Sequence, residues 1–329
     1  MLNINSSQVH KYFTNTMTNP KEPCLSTLEN KLELRLPTPE TAIFPQWEHI
    51  DEYSLYVKRD DLIHNTISGN KWRKLKYQLK KFLTDNSDKA HIVSFGGGYS
   101  NHIHALAHCC SKLGIKMTAI IRGNYQDRLT PMLHDISNLG TDIKYVTKIE
   151  YKERNNPAHL EALKKQYPSA LIIPEGGSHK LAIPGLAELV QEFNRDYDIV
   201  VCPVASAGTL AGLIKACPSI TQIHGIAMLK GQDYLEQETV TLFQEATRND
   251  NWRIHHDFHC GGYAKRPADL VKFCREFMLQ TQIPVEPTYS GKMFYGLKQL
   301  IQQKYFSKGA KILALHTGGL QGDRANDFQ

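Results

Sequence analysis

The sequence has no run of eighteen or more apolar residues, which removes a membrane-spanning helix from consideration. Its opening stretch, MLNINSSQVHKYFTNTMTNPKEP, lacks the apolar core of a secretory signal and the arginines of a transit peptide. A cytoplasmic location is the expectation. The seven cysteines (Cys24, Cys109, Cys110, Cys202, Cys217, Cys260 and Cys274) are odd in number and include no Cys-x-x-Cys pair. A disulfide framework is therefore not expected, and most of these thiols read as reduced, buried small hydrophobes. Charge of one sign is also scarce, since the formal excess of +6 is scattered along the chain. The densest basic run, Lys71 to Lys81, is interleaved with apolar residues at helical spacing. That pattern argues against nucleic acid as a partner and for attraction of small anions. No fixed-period repeat and no low-complexity segment occurs.

What remains is an ordinary globular composition, 41% hydrophobic and 22% charged, in 329 residues, a length that suits two α/β domains. The first forty-eight residues are rich in Pro, Thr and Asn, and Pro37, Pro39 and Pro45 break any long element there. From Tyr53 onward short apolar runs alternate with amphipathic stretches. Strands are expected at 91–95, 116–121, 142–146, 170–173, 198–204, 223–228 and 311–315. Helices are expected at 100–113, 131–139, 157–166, 208–216, 234–246, 268–280 and 291–306. In the first of these, Ile103, Leu106, Cys110 and Leu113 share one face. Such alternation predicts an α/β fold with two open parallel sheets, helices on both faces of each. Glycine turns at the strand ends place a ligand in the cleft between them.

Chemistry is concentrated in those turns and one lysine. In VKRDDLIHNTISGNKWRK (57–74) a Ser-Gly-Asn turn runs into Lys71 at a helix start. An amine placed there points into a cleft and suits Schiff-base formation when partly buried, or else is a surface cation. In FGGGYSNHIH (95–104) three glycines precede Ser100 and Asn101. Free N–H groups at that helix start suit a carboxylate or phosphate, and an ordinary strand-to-helix turn capped by serine is the alternative. PVASAGTLAG (203–212) is small throughout and suits a backbone phosphate cradle, or simply close helix packing; it is neither a Walker A loop nor Gly-x-Gly-x-x-Gly. HHDFHCGGY (255–263) offers His255, His256, His259 and Cys260 as metal ligands. Alternation of side chains along a strand and the want of a second ligand pair argue against a metal, and none is expected. PTYSGKMFYG (287–296) and HTGG (316–319) complete the set.

Taken in this order, KRDDL, SGNKxRK, GGxxSNH, the small-residue loop, GGY, YSGK and TGG resemble the D-cysteine desulfhydrase and 1-aminocyclopropane-1-carboxylate (ACC) deaminase family. That family belongs to the tryptophan-synthase-β-like, fold type II enzymes of pyridoxal 5′-phosphate. The likeness runs from about Val57 to Gly319; the cysteine-synthase pattern PTGSxK around Lys71 is missing. The resemblance implies that Lys71 is the Schiff-base lysine and that Lys74 with Ser206, Ala207, Gly208 and Thr209 holds the phosphate. It implies that Asn101 touches the ring hydroxyl, that Ser100 faces the substrate as nucleophile or carboxylate anchor, and that Tyr263 and Tyr289 face it too. Ser290 would lie near the pyridine nitrogen and Thr317 beside the ring. It further implies a large cofactor domain of residues 1–73 and 175–329, a small domain of 74–174, and a homodimer.

Two positions bear on the substrate. ACC deaminases place a glutamate after the tyrosine of the YSGK-like turn and a leucine in the HxGG turn; this chain has Ser290 and Thr317, the desulfhydrase pattern. A carboxylate favours a protonated pyridinium and a strong electron sink, whereas a serine leaves the ring nearer neutral. β-Elimination of sulfide from D-cysteine is therefore the first expectation. ACC deamination to 2-oxobutyrate and ammonia, another D-amino acid, and cofactor binding with little catalysis are the alternatives. Tyr99 stands where the family commonly has glutamine, and HIHALAH replaces an arginine-containing helix, so the pocket is expected to be reshaped.

Overall fold

Period-two alternation along the strands sets the architecture, in a computed structural model that describes residues 24–85, 90–231 and 233–324. The opening stretch 1–23, read above for a leader, lies outside the described residues. The chain begins with α1 (Leu25–Lys31), β1 (Glu40–Ala42), β2 (Ser54–Lys58) and α2 (Lys71–Asp85). A βα run follows: β3 (His91–Gly97), α3 (Asn101–Leu113), β4 (Lys116–Arg122), α4 (Pro131–Asn138), β5 (Asp142–Val146), α5 (Lys148–Lys152), α6 (Pro157–Gln166) and β6 (Ala170–Ile173). Next come α7 (Ala182–Gln191), β7 (Ile199–Val204), α8 (Gly208–Ala216), β8 (Gln222–Ala227), α9 (Tyr234–Leu242) and β9 (Trp252–His255). The last elements are α10 (Ala268–Thr281), α11 (Ser290–Gln302) and β10 (Lys311–Leu315).

Two sheets result. One has the order β1-β2-β10-β7-β8-β9, parallel except for the antiparallel edge strand β1; the other is β5-β4-β3-β6, all parallel. In β7, Ile199 and Val201 join Phe273, Phe277, Phe294 and Leu297 of α10 and α11 on one face. Val200, Cys202 and Val204 join Leu210, Leu213 and Ile214 of α8 on the other. The smaller sheet repeats the scheme. Ile92, Met117, Ala119 and Ile121 pack with α2, α3 and α4, while Val93, Phe95 and Ile120 meet Tyr151 and Leu163 of α5 and α6. Helices thus cover both faces of both sheets, as the alternation predicts.

Helix starts follow the caps. Ser100 accepts the Ile103 N–H at 3.2 Å, Thr130 accepts Leu133 N–H before Pro131, and Asn156 accepts Ala158 N–H before Pro157. Two expected helices are shorter than their apolar pattern. The one expected at 234–246 ends at Leu242 and continues as a 3-10 turn, and the one at 291–306 stops at Gln302. In the second, Lys304 turns left-handed (φ 52°) and Phe306 drops into the core beside Tyr53. Helix α7 is not foreseen, because Pro184 stands near its start; at that place the missing N–H has no intrahelical partner to lose. All seven cysteines are free and five are buried, Cys24 being exposed and Cys260 half-buried.

Candidate active site

The chemistry-bearing turns meet where the parallel strands β3, β6, β7 and β10 end, the place where open sheets of this kind bind ligands. Lys71 is the first residue of α2, and its Nζ donates to Asn70 Oδ1 at 2.5 Å. Asn70 Nδ2 in turn donates to Thr209 Oγ1 at 2.7 Å, so one buried amide ties the lysine to the 206–209 loop. Burial lowers the Lys71 amine to about 8, with Glu286 pulling the other way. The turn before it is locked by the turn that follows β10, the strand beside β2. Gly69 has φ +68°, and a Cβ there would lie 1.7 Å from the Thr317 carbonyl oxygen. Gly69→Ala is expected to cost about 2–4 kcal/mol, combining left-handed strain with a backbone clash, read from its urea midpoint. A loss under about 1 kcal/mol would mean the two turns separate easily.

A second cluster is built to receive an anion. Lys74 Nζ donates to Ser206 Oγ at 3.1 Å, and the Ser178 hydroxyl, in the Glu175–Ser178 turn after β6, is buried with no hydrogen-bond partner. A Cβ at Gly208 would press on both, 3.3 Å from Ser178 Oγ and 3.4 Å from Lys74 Cε, so only glycine leaves the cradle open. Burial raises the Glu238 carboxyl, and the nearby Ala207 N–H offsets part of that rise. Burial and the neighbouring Lys71 charge lower Lys74 to about 7. A depressed ammonium group beside an orphan hydroxyl is a setting that a phosphate dianion relieves. The residues present therefore fit pyridoxal phosphate: Lys71 to bond it, Lys74, Ser178 and the 206–209 loop to hold its phosphate.

The remaining expected residues sit on the neighbouring turns. Ser100 caps α3, and Asn101 accepts from Gln321 Nε2 while its own Nδ2 lies against Gly319, 2.9 Å from where a Cβ would stand. The Tyr263 and Tyr289 hydroxyls are 3.0 Å apart with rings edge to face. Burial raises both phenols, Tyr289 far more, so both stay protonated near neutrality. Ser290 is fully buried and Thr317 nearly so. The histidines of HHDFHCGGY scatter instead of converging. His255 bonds His224 at 2.8 Å, His256 bonds Glu236 at 2.7 Å, and His259 accepts the Gly261 N–H.

Three participants escape a motif reading. Asn70 is hidden inside the turn it organises. Ser178 follows Gly176 and Gly177 after a strand, a signal of the same kind as the glycine turns at 95–104 and 203–212. Glu286 stands four residues before Ser290, and an acidic residue just ahead of a helix is a readable cap signal. Its carboxylate accepts the N–H groups of Thr288 (2.6 Å), Tyr289 (2.8 Å) and Ser290 (2.8 Å).

Comparison with known proteins agrees with this geometry. The family model described as pyridoxal-phosphate dependent enzyme matches residues 36–318. A protein of Pyrococcus furiosus named putative 1-aminocyclopropane-1-carboxylate deaminase is 30% identical over 284 residues, 82% of this chain and 85% of that one. The Arabidopsis thaliana mitochondrial protein named bifunctional D-cysteine desulfhydrase/1-aminocyclopropane-1-carboxylate deaminase is 28% identical over 298 residues, covering 82% of this chain and 73% of its own. The crystal structure of an ACC deaminase homologue superposes with a TM-score of 0.74 at 26% identity, over 92% of this chain and 96% of that one.

Proposed function

This chain belongs to the pyridoxal-phosphate dependent enzymes, and from that premise we propose that it eliminates sulfide from D-cysteine. The reaction consumes one water and yields pyruvate, hydrogen sulfide and ammonia. The observation that carries this choice is the pair Ser290 and Thr317, both buried at the cleft where the family's deaminases place glutamate and leucine. When bound, pyridoxal phosphate supplies the electron sink that makes the substrate's Cα proton acidic.

The chain's own groups do the rest. Lys71 would take the Cα proton, its amine holding a free lone pair above about pH 8. Ser100 Oγ accepts the Ile103 N–H, which leaves its hydroxyl proton to donate to the substrate carboxylate beside the start of α3. Tyr289, donating or accepting across 3.0 Å to Tyr263, positions the thiol or amino group. Lys74 and the 206–209 loop hold the phosphate, Asn101 the ring hydroxyl, and Thr317 flanks the ring. Tyr99, 46% exposed, borders the entrance and narrows what can enter. The same reading takes residues 1–73 with 175–329 as the cofactor domain and 74–174 as the smaller one. Strands β3 to β6 share one core with Leu75, Leu79 and Phe82 of α2, which supports a smaller unit there, and Leu28, Leu32, Ile67 and Trp72 from before residue 74 join the same core. A cytoplasmic homodimer is the working form proposed; among the described residues no helix is long and apolar enough to cross a membrane.

A second reading, ACC deamination to 2-oxobutyrate and ammonia, is favoured by the names of the relatives and by the buried Glu286 beside Ser290. Product assays on D-cysteine, L-cysteine and ACC decide. Sulfide and pyruvate from D-cysteine alone is the expected result. 2-Oxobutyrate from ACC would transfer the assignment to the second reading, and silence on all three would implicate Tyr99 and another substrate.

A further inference from the structure

Position 290 carries a hydroxyl, yet the charge behind it is a carboxylate. Ser290 Oγ donates to Glu286 Oε1 at 3.2 Å and accepts the Glu286 N–H at 3.1 Å. Its proton is thus spoken for, and what it can still offer is a lone pair. Glu286 is itself only 3% exposed. All four of its side-chain contacts (three backbone N–H groups and the Ser290 hydroxyl) are donors, which only the ionised carboxylate satisfies in full. Those three N–H groups belong to the entrance of α11, whose partial positive charge would otherwise disfavour a cation close by. Oε1 also reaches toward the cleft wall, 3.6 Å from a Cβ placed at Gly319.

We propose that Glu286 is a positioning residue that acts through Ser290, turning its hydroxyl into an acceptor that favours a protonated heteroaromatic nitrogen in the cleft. This rests on the reading that the cofactor binds here with its ring nitrogen toward position 290. The chain then recovers, through a hydroxyl, the electron-withdrawing ring that a serine alone would not support. A protonated ring stabilises negative charge at Cα whichever small amino acid is bound, so this contact strengthens the sink without choosing between D-cysteine and ACC.

Other ionisable groups around Glu286 are consistent with it. Lys71 of α2 and Lys292 of α11 lie within electrostatic reach of it, as do Tyr263, Tyr289, Cys274 of α10 and Asp323 near the C-terminus. Burial pushes Glu286 up to about 7 while the three amides pull it down and Asp323 adds to the rise. A cation held at Ser290 would draw it lower.

The test is the ring-nitrogen ¹⁵N resonance of holoenzyme reconstituted with ¹⁵N-labelled pyridoxal phosphate, for wild type, Glu286→Gln and Ser290→Ala. The expected result is a protonated-position shift in wild type and a neutral-position shift in both variants. Ser290→Ala leaves the Glu286 cap on α11 intact, so it decides the matter even if Glu286→Gln folds poorly. A protonated ring in either variant, or a neutral one in wild type, overturns the proposal. Absence of a borohydride-reducible adduct on Lys71 in wild type would be seen separately; it would sink the cofactor reading and this inference with it.

Discussion

Lys71→Ala is expected to remove the lysine-linked cofactor absorbance and to lower turnover at least about 10³-fold, the scale set by loss of a covalent or general-base group. The amine is fixed by Asn70, which is fixed by Thr209, so no neighbour can swing in to replace it. Lys74 is the nearest alternative and is committed to Ser206. The pH dependence follows from the depressed amine. In protein stripped of cofactor, Lys71 is charged and unreactive below about pH 8 and neutral and nucleophilic above it. Selective labelling of Lys71 by an amine reagent should therefore rise through about pH 8, well before exposed lysines near 10.4. A labelling midpoint near 10, or colour and turnover retained in the alanine variant, would remove Lys71 from its role.

Much of this was legible in the sequence, and the parts that were not share a cause. The strands 142–146, 170–173 and 311–315 and the helices 157–166 and 208–216 fall where apolar period and caps put them. Those signals are local. Lys71, Ser100 and the 203–212 turn were visible because a glycine turn entering a helix marks a site without reference to the rest of the chain. Thr317 against Gly69 was not, since the contact joins positions far apart in sequence. The role of Glu286 behind Ser290 is silent in the sequence for a related reason, since the side chain at position 290 does not show what it donates to. A hydroxyl's polarity depends on what it donates to, and that partner appears only in three dimensions.

The same is true of the network under the lysine, where the largest stability effect is expected. Arg73 forks to Asp60 (2.7 and 2.9 Å) and to Glu192 (2.8 and 2.9 Å), with Thr38 on Asp60 and Lys58 on Glu192. Arg73 and Lys58 are fully buried and Asp60 nearly so. Burial alone would raise Glu192, but Arg73 and Lys58 outweigh it and hold the carboxyl below its usual range. Its contribution to stability is present above the unfolded value and is lost as pH falls through the folded one. Arg73→Met is expected to cost about 3–5 kcal/mol in urea unfolding, because it leaves the buried Asp60 carboxylate no cation and only the Thr38 hydroxyl, and Glu192 only Lys58 and the Thr38 N–H. Asp60→Asn with Arg73→Met should recover part of that loss, a coupling of about 1–3 kcal/mol. Function is drawn in through geometry. The Asp60 carbonyl accepts the Gly69 N–H at 2.9 Å, and Arg73 lies in the same helical turn as Lys71. Loosening the fork should weaken cofactor affinity more than a distant core substitution of equal cost does. A destabilised Arg73→Met that binds cofactor as tightly as that control would show the network to be structural alone.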